Sequence, residues 1–138
     1  MLASLGYATA YSLVGALLLV VGYFVLDLLT PGKLAEQIWV QRSVNAAVVL
    51  SAGFLGLGLV VFAAIWTNAD SGFGAALGWT VAFGLLGVLL QALAGAVLEV
   101  LTPGRMRDVL VSRDLHPASI VLATVQLAMS LAVVASIW

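Results

Sequence analysis

The chain has 138 residues, of which 64% are hydrophobic and 8% charged, and its mean hydropathy is +1.21. A soluble domain carries roughly 25% charged residues, so five basic and six acidic side chains cannot coat a water-facing surface, and the chain reads as an integral membrane protein. The net charge of −1 offers no basic face for nucleic acid, the absence of cysteine removes disulfides and thiolate chemistry, and a single histidine leaves no imidazole cluster for a metal.

The first apolar run, Leu5 to Leu29, covers 25 residues. At roughly 1.5 Å per residue it exceeds the roughly 30 Å of a bilayer's hydrocarbon. A signal peptide is not expected, because the first basic residue is Lys33 rather than one ahead of the run. Within this span Gly15, Leu19, Tyr23 and Asp27 recur every four residues, and Tyr23 lies one turn from Asp27, within reach of its carboxylate. The span ends at Thr30-Pro31-Gly32. Proline disfavours helix in the residue before it, and the threonine is placed to cap a new short helix with proline in its first position. Leu34 and Ile38 would form the apolar face of that helix along the membrane surface.

The second span runs from Val44 to Trp66, with Asn45 at its start and Ala52, Gly56 and Ala64 as a row of small residues. After a short connection containing Asp70, the third span runs from Gly74 to Leu101. It opens with the GxxxG pair Gly74 and Gly78 and carries Gly87, Gln91, Gly95 and Glu99 on one stripe. It ends at Thr102-Pro103-Gly104, which predicts a second short helix along the membrane surface, with Met106 and Leu110 in the places of Leu34 and Ile38. The fourth span, Ala118 to Trp138, repeats the small row as Thr124, Ala128 and Ser136. Trp39, Trp66, Trp79 and Trp138 suit interfacial belts, and His116 reads as an interfacial side chain.

Shifted by 72 residues, Leu5 to Trp66 aligns with Leu77 to Trp138 without a gap, and 22 of 62 pairs are identical. The expected fold is therefore an all-α membrane protein of four transmembrane helices. They form two parallel repeats of a two-helix hairpin, residues 1–72 and 73–138, within one membrane domain and as a pseudo-two-fold bundle. All five basic residues, Lys33, Arg42, Arg105, Arg107 and Arg113, fall in the first and third connections. The positive-inside rule puts those connections in the cytoplasm and both termini outside.

Asp27 and Glu99 stand three residues before the threonines, roughly 4.5 Å inside the span ends. At that depth a carboxylate can pair with Lys33, Arg42, Arg105 or Arg113 or bond a helix turn; alternatively the two acids, with Tyr23 and Gln91, line a polar path. Nothing in the chain matches a catalytic triad, a P-loop or a zinc-binding spacing. No enzyme activity and no cofactor are expected.

The two acid-Leu/Val-Leu-Thr-Pro-Gly segments, followed by Asn45-Ala46-Ala47 at the head of a glycine-rich span, resemble the tandem hairpins of the family called domain of unknown function 350. The resemblance covers essentially the whole chain, with Pro117-Ala118-Ser119 standing where a second Asn-Ala-Ala is expected. It implies a bacterial inner-membrane protein and a partner subunit in envelope maintenance or stress. The expectation is a non-enzymatic membrane subunit that assembles with itself or with a membrane partner. The alternative is a small oligomeric channel or transporter for protons, cations or polyamines that uses Asp27 and Glu99.

Overall fold

A computed structural model describes residues 1–30 and 32–138. Pro31 of the first Thr-Pro-Gly motif lies outside the described residues. Four long helices, α1 (Leu2–Leu29), α3 (Val44–Thr67), α4 (Phe73–Leu101) and α6 (Pro117–Ile137), are each long and apolar enough to cross a membrane. Two short helices, α2 (Leu34–Trp39) and α5 (Met106–Leu110), follow α1 and α4, and a 3-10 turn at Ala69–Ser71 joins α3 to α4. The observed spans start and end within three residues of those read from the sequence.

The helix ends follow from local chemistry. Thr30 (φ −86°, ψ 129°) and Thr102 (φ −97°, ψ 139°) take the extended backbone that a following proline favours. Their hydroxyls donate back to the carbonyls of Leu26 (2.6 Å) and Leu98 (2.8 Å), which also accept the threonines' own backbone amides, so each threonine is tied twice to the last turn of its helix. The threonines thus close the long helices instead of capping the short ones, whose caps are Lys33 and Arg105. The short helices begin four residues past each threonine, at Leu34 and Met106, too far along the chain for the threonine to occupy their N-cap position. At the head of α3, Ser43 accepts from the Ala46 amide at 3.2 Å. At the head of α6, His116 Nδ1 accepts from the Ala118 amide at 3.1 Å, so the histidine is a helix cap.

The hub of the bundle is α3, which buries eleven residues where α1 buries only Leu18 and Gly22. It packs most extensively against α6 and also touches α1, α2, α4 and α5. The packing departs from the expected pseudo-two-fold. α3 packs on α4 far more than α1 packs on α6, and the two pairs would match under such an axis. The buried faces differ too: Ala52 and Gly56 of α3 point inward, whereas Thr124 and Ala128, 72 residues later, are exposed. α6 instead turns Ser119, Leu122, Ala123, Gln126, Ser130 and Val133 inward. The reason is polar. Ser130 accepts from Gln91 and Ser119 donates to Asn45, contacts that exist only on the inward face, whereas the Thr124 hydroxyl bonds the Ile120 carbonyl of its own helix at 2.8 Å and can face outward.

The short helices also differ from the expectation that their apolar faces lie on the membrane. Leu34 and Leu110 are buried in one cluster with Ala46, Val49 and Leu122, closing one end of the bundle. Trp39, Trp66, Trp79 and Trp138 are all exposed, as belt residues should be.

Backbone approach sets the α3 contacts. A Cβ on Gly56 would collide with Ser130 and stand 2.8 Å from Gln91 Nε2, while one on Gly58 would meet nothing within 4 Å. Gly56→Ala should therefore destabilise the bundle by about 1–3 kcal/mol through overpacking. Gly58→Ala should be neutral or stabilising, since alanine is the better helix former. Unfolding titrations in mixed micelles with SDS check both.

Candidate functional site

The polar side chains of the bundle form a seam along α3, α4 and α6. Gln91 is buried and donates from Nε2 to Ser130 Oγ (2.7 Å) and to the Gly53 carbonyl (3.2 Å), tying α4 to both α6 and α3. Ser130 in turn donates to the Gln126 carbonyl at 2.9 Å. Asn45, fully buried, anchors the same pair of helices nearer the short helices. Its Nδ2 donates to the carbonyls of Asp114 (2.9 Å) and Ser112 (3.3 Å), and its Oδ1 accepts from the His116 amide (2.7 Å) and Ser119 Oγ (2.8 Å). Ser43 adds a hydroxyl bond to the Leu110 carbonyl, fixing α5 on α3.

The two Thr-Pro-Gly ends share their residue types, and the described residues around them differ in geometry. In the first, Gly32 adopts a left-handed φ of 96°, a region open to glycine, and the chain then turns back. The Leu34 amide donates to Asp27 Oδ1 at 2.6 Å. Thr30 and Leu34 are buried there. In the second, Gly104 has no positive φ, and Glu99 and Thr102 are exposed. Between the end of α4, α5 and the start of α6 a cleft of about 450 Å³ remains, bordered by Glu99, Arg105, Asp108 and His116 among mostly apolar walls. Glu99, Met106 and Leu122 also border a second, inner cavity of about 40 Å³ that reaches Gln91 and Gln126. The amide oxygen of Gln126, a residue 1% exposed, has no hydrogen-bond partner among the described residues.

The expected ion pairs are absent among the described residues; Asp27 is held by a helix turn, and Glu99 has no bonded partner. Tyr23 does not donate to Asp27. Its ring meets Phe24 edge-on at 5.6 Å and packs against the apolar cluster, and Asp27 Oδ1 is taken by the backbone amide of Leu34. The stripe Gly87, Gln91, Gly95 and Glu99 faces protein at its Gly87 and Gln91 end and opens toward Glu99. Gly87 is packed by Val60, whereas Gly95, Gly74 and Gly78 have no neighbour within 4 Å of a Cβ. No cluster of metal-ligating side chains occurs among the described residues.

Sequence reasoning missed Gln126, Ser130 and Ser119, and read Asn45 only as a helix start. The signal for Gln126 and Ser130 was their four-residue spacing on an otherwise apolar span.

The family described as Domain of Unknown Function (DUF350) matches residues 1–137. A UPF0719 transmembrane protein of Mycolicibacterium paratuberculosis is 37% identical over 118 residues, 86% of this chain and 78% of that protein. UPF0719 transmembrane proteins of Mycobacterium bovis and Mycobacterium tuberculosis are each 35% identical over 120 residues, 87% of this chain and 78% of theirs. No solved structure matches significantly.

Asn45 makes four bonds at once, so its loss is informative. Asn45→Ala removes the partner of the His116 amide and of the Ser112 and Asp114 carbonyls, part-buried bonds each worth about 0.5–1.5 kcal/mol. The expected result is a loss of at least about 2 kcal/mol in SDS titration, with α6 losing amide-exchange protection at its Ser119 end before the Trp138 end.

Proposed function

The chain belongs to the DUF350 family, and from that premise we propose that it is a non-enzymatic membrane subunit that assembles with itself or with a membrane partner. The observation that carries this reading is the outward small face at the start of α4. Gly74, Ala75, Gly78 and Ala82 are exposed there, and a Cβ on Gly74 or Gly78 would meet nothing within 4 Å. In lipid, such a face permits close backbone approach by another helix, where van der Waals packing supplies the association energy. The weakly buried α1 leaves further apolar helix surface for the same purpose.

The polar stripe favours assembly over conduction. Gln91 spends its amide N–H groups on Gly53 and Ser130, and Asp27 spends an oxygen on Leu34, so these groups serve helix contacts. The setting that accompanies this proposal is the bacterial inner membrane, in envelope maintenance or stress, with the basic connections cytoplasmic.

In nanodiscs across a range of protein concentrations, native mass spectrometry should show dimers or larger species, or a co-purifying membrane partner. Gly74→Leu together with Gly78→Leu should cut that assembled fraction several-fold while leaving the melting curve in place. Monomer alone would overturn the proposal. Proteoliposome flux of protons, monovalent cations or polyamines that is lost in Asp27→Asn or Glu99→Gln would replace it with the channel reading.

Orientation is tested separately. Single cysteines at the exposed positions Ser71 and Gln41 should react with an impermeant thiol reagent from outside and from the cytoplasm respectively; the reverse pattern overturns the topology.

A further inference from the structure

We propose that the cleft between the end of α4, α5 and the start of α6 binds the headgroup of a phospholipid that carries both a phosphate and a primary ammonium. Its volume, about 450 Å³, falls in the roughly 300–1,000 Å³ range of small-ligand sites. Its position fits a lipid, because it begins where the α4 span ends and is flanked by Val121, an exposed apolar residue of α6. Acyl chains leaving along that flank stay in hydrocarbon while the headgroup sits at the helix ends.

The charges lining the cleft are of both signs and are not spent on each other. Glu99 and Asp108 supply carboxylates and Arg105 a guanidinium, and none of these side chains has a hydrogen bond or ion pair among the described residues. His116 uses Nδ1 to cap α6, which leaves its other ring nitrogen uncommitted. An arginine fork matches phosphate oxygens, and a carboxylate matches an N–H donor cation. A primary ammonium fits better than a quaternary one, which has no N–H to give. A second acceptor lies further in: Glu99 borders the inner cavity that reaches Gln126, whose buried amide oxygen lacks a partner. That cavity, about 40 Å³, is large enough for water, which needs roughly 10–15 Å³, so a hydrated ammonium at Glu99 is within reach of Gln126 through solvent.

The first half of the chain is the internal control. At the corresponding end, Asp27 is engaged by the Leu34 amide, and Leu34 is 2% exposed where its counterpart Met106 is only partly buried. Among the described residues, the acid at the first span end is engaged and its neighbour Leu34 buried, whereas at the second the acid is exposed and Met106 only partly buried.

The test is native mass spectrometry of the full delipidated chain offered equal amounts of phosphatidylethanolamine, phosphatidylcholine and phosphatidylglycerol. Ethanolamine lipid should be retained about tenfold or more over the other two. Glu99→Gln and Arg105→Gln should each reduce its retention about tenfold, the equivalent of roughly 1.4 kcal/mol, with unchanged melting because both residues are exposed. Glu36→Gln, an exposed acid of the first half, should bind like the unaltered chain. Equal retention of the three lipids, or wild-type binding by either cleft variant, would overturn the proposal. Displacement of the lipid by an equal concentration of water-soluble glycerophosphoethanolamine would overturn the assignment to lipid.

Discussion

A polar group inside the hydrocarbon is costly unless it finds a partner within the protein, and this requirement organises the bundle. Apolar packing alone does not choose between helix arrangements in lipid, because the lipid tails are as apolar as leucine. The choice falls to a few groups that lose several kcal/mol if left unpaired. Gln91, Ser130 and the Gly53 carbonyl form one such set, and Asn45, Ser119 and the 112–116 backbone form another. The first joins α3, α4 and α6, and the second joins α3 to the head of α6 and the segment before it. The close approach at Gly56 lets the first set meet, since a side chain there would occupy the space of Ser130 and Gln91. The peripheral place of α1 fits the same rule: although it carries Tyr7, Tyr11, Ser12, Tyr23 and Asp27, none of its side chains hydrogen-bonds to another span among the described residues.

The spans were legible because lipid imposes a length and an apolar composition that survive any packing arrangement. Helix ends were legible at Thr30 and Thr102 for a local reason, the steric demand of the following proline. The inward faces were harder. All four spans are apolar around most of their circumference, so hydrophobic periodicity points nowhere. The small-residue rows then identify possible contacts without saying whose. Ala52 and Gly56 proved internal, while Gly74, Gly78, Thr124 and Ala128 face away from the chain's own helices. The acids illustrate the same limit. Asp27 was read as pairing with a base or a helix turn, and which of these it takes depends on the left-handed turn at Gly32, which spacing does not reveal.

The internal sequence correspondence and the asymmetric packing have one explanation. The residues that build the seam lack polar counterparts 72 positions away: Gln91 stands opposite Leu19, Gln126 opposite Phe54, Ser130 opposite Gly58, Ser119 opposite Ala47, and Asn45 opposite Pro117. Two halves with identical polar faces would pack about an axis and satisfy one another equally. Here the second hairpin carries the glutamines and serines, and α3 of the first supplies Asn45, the Gly53 carbonyl and the space at Gly56. The seam is therefore complementary rather than self-complementary, which turns α6 away from the face that α3 presents. Rotation of α6 also leaves the two span ends in different surroundings. In the first, α2 is drawn down over Asp27 and Leu34 enters the apolar cluster. In the second, Leu110 enters that cluster instead of the residue equivalent to Leu34, and Met106 stays partly exposed at the rim of the cleft. An acid with a backbone partner has become part of the scaffold; an acid without one, beside an arginine and an open cleft, keeps its oxygens for something outside the chain. The same divergence that fixes the bundle thus frees Glu99.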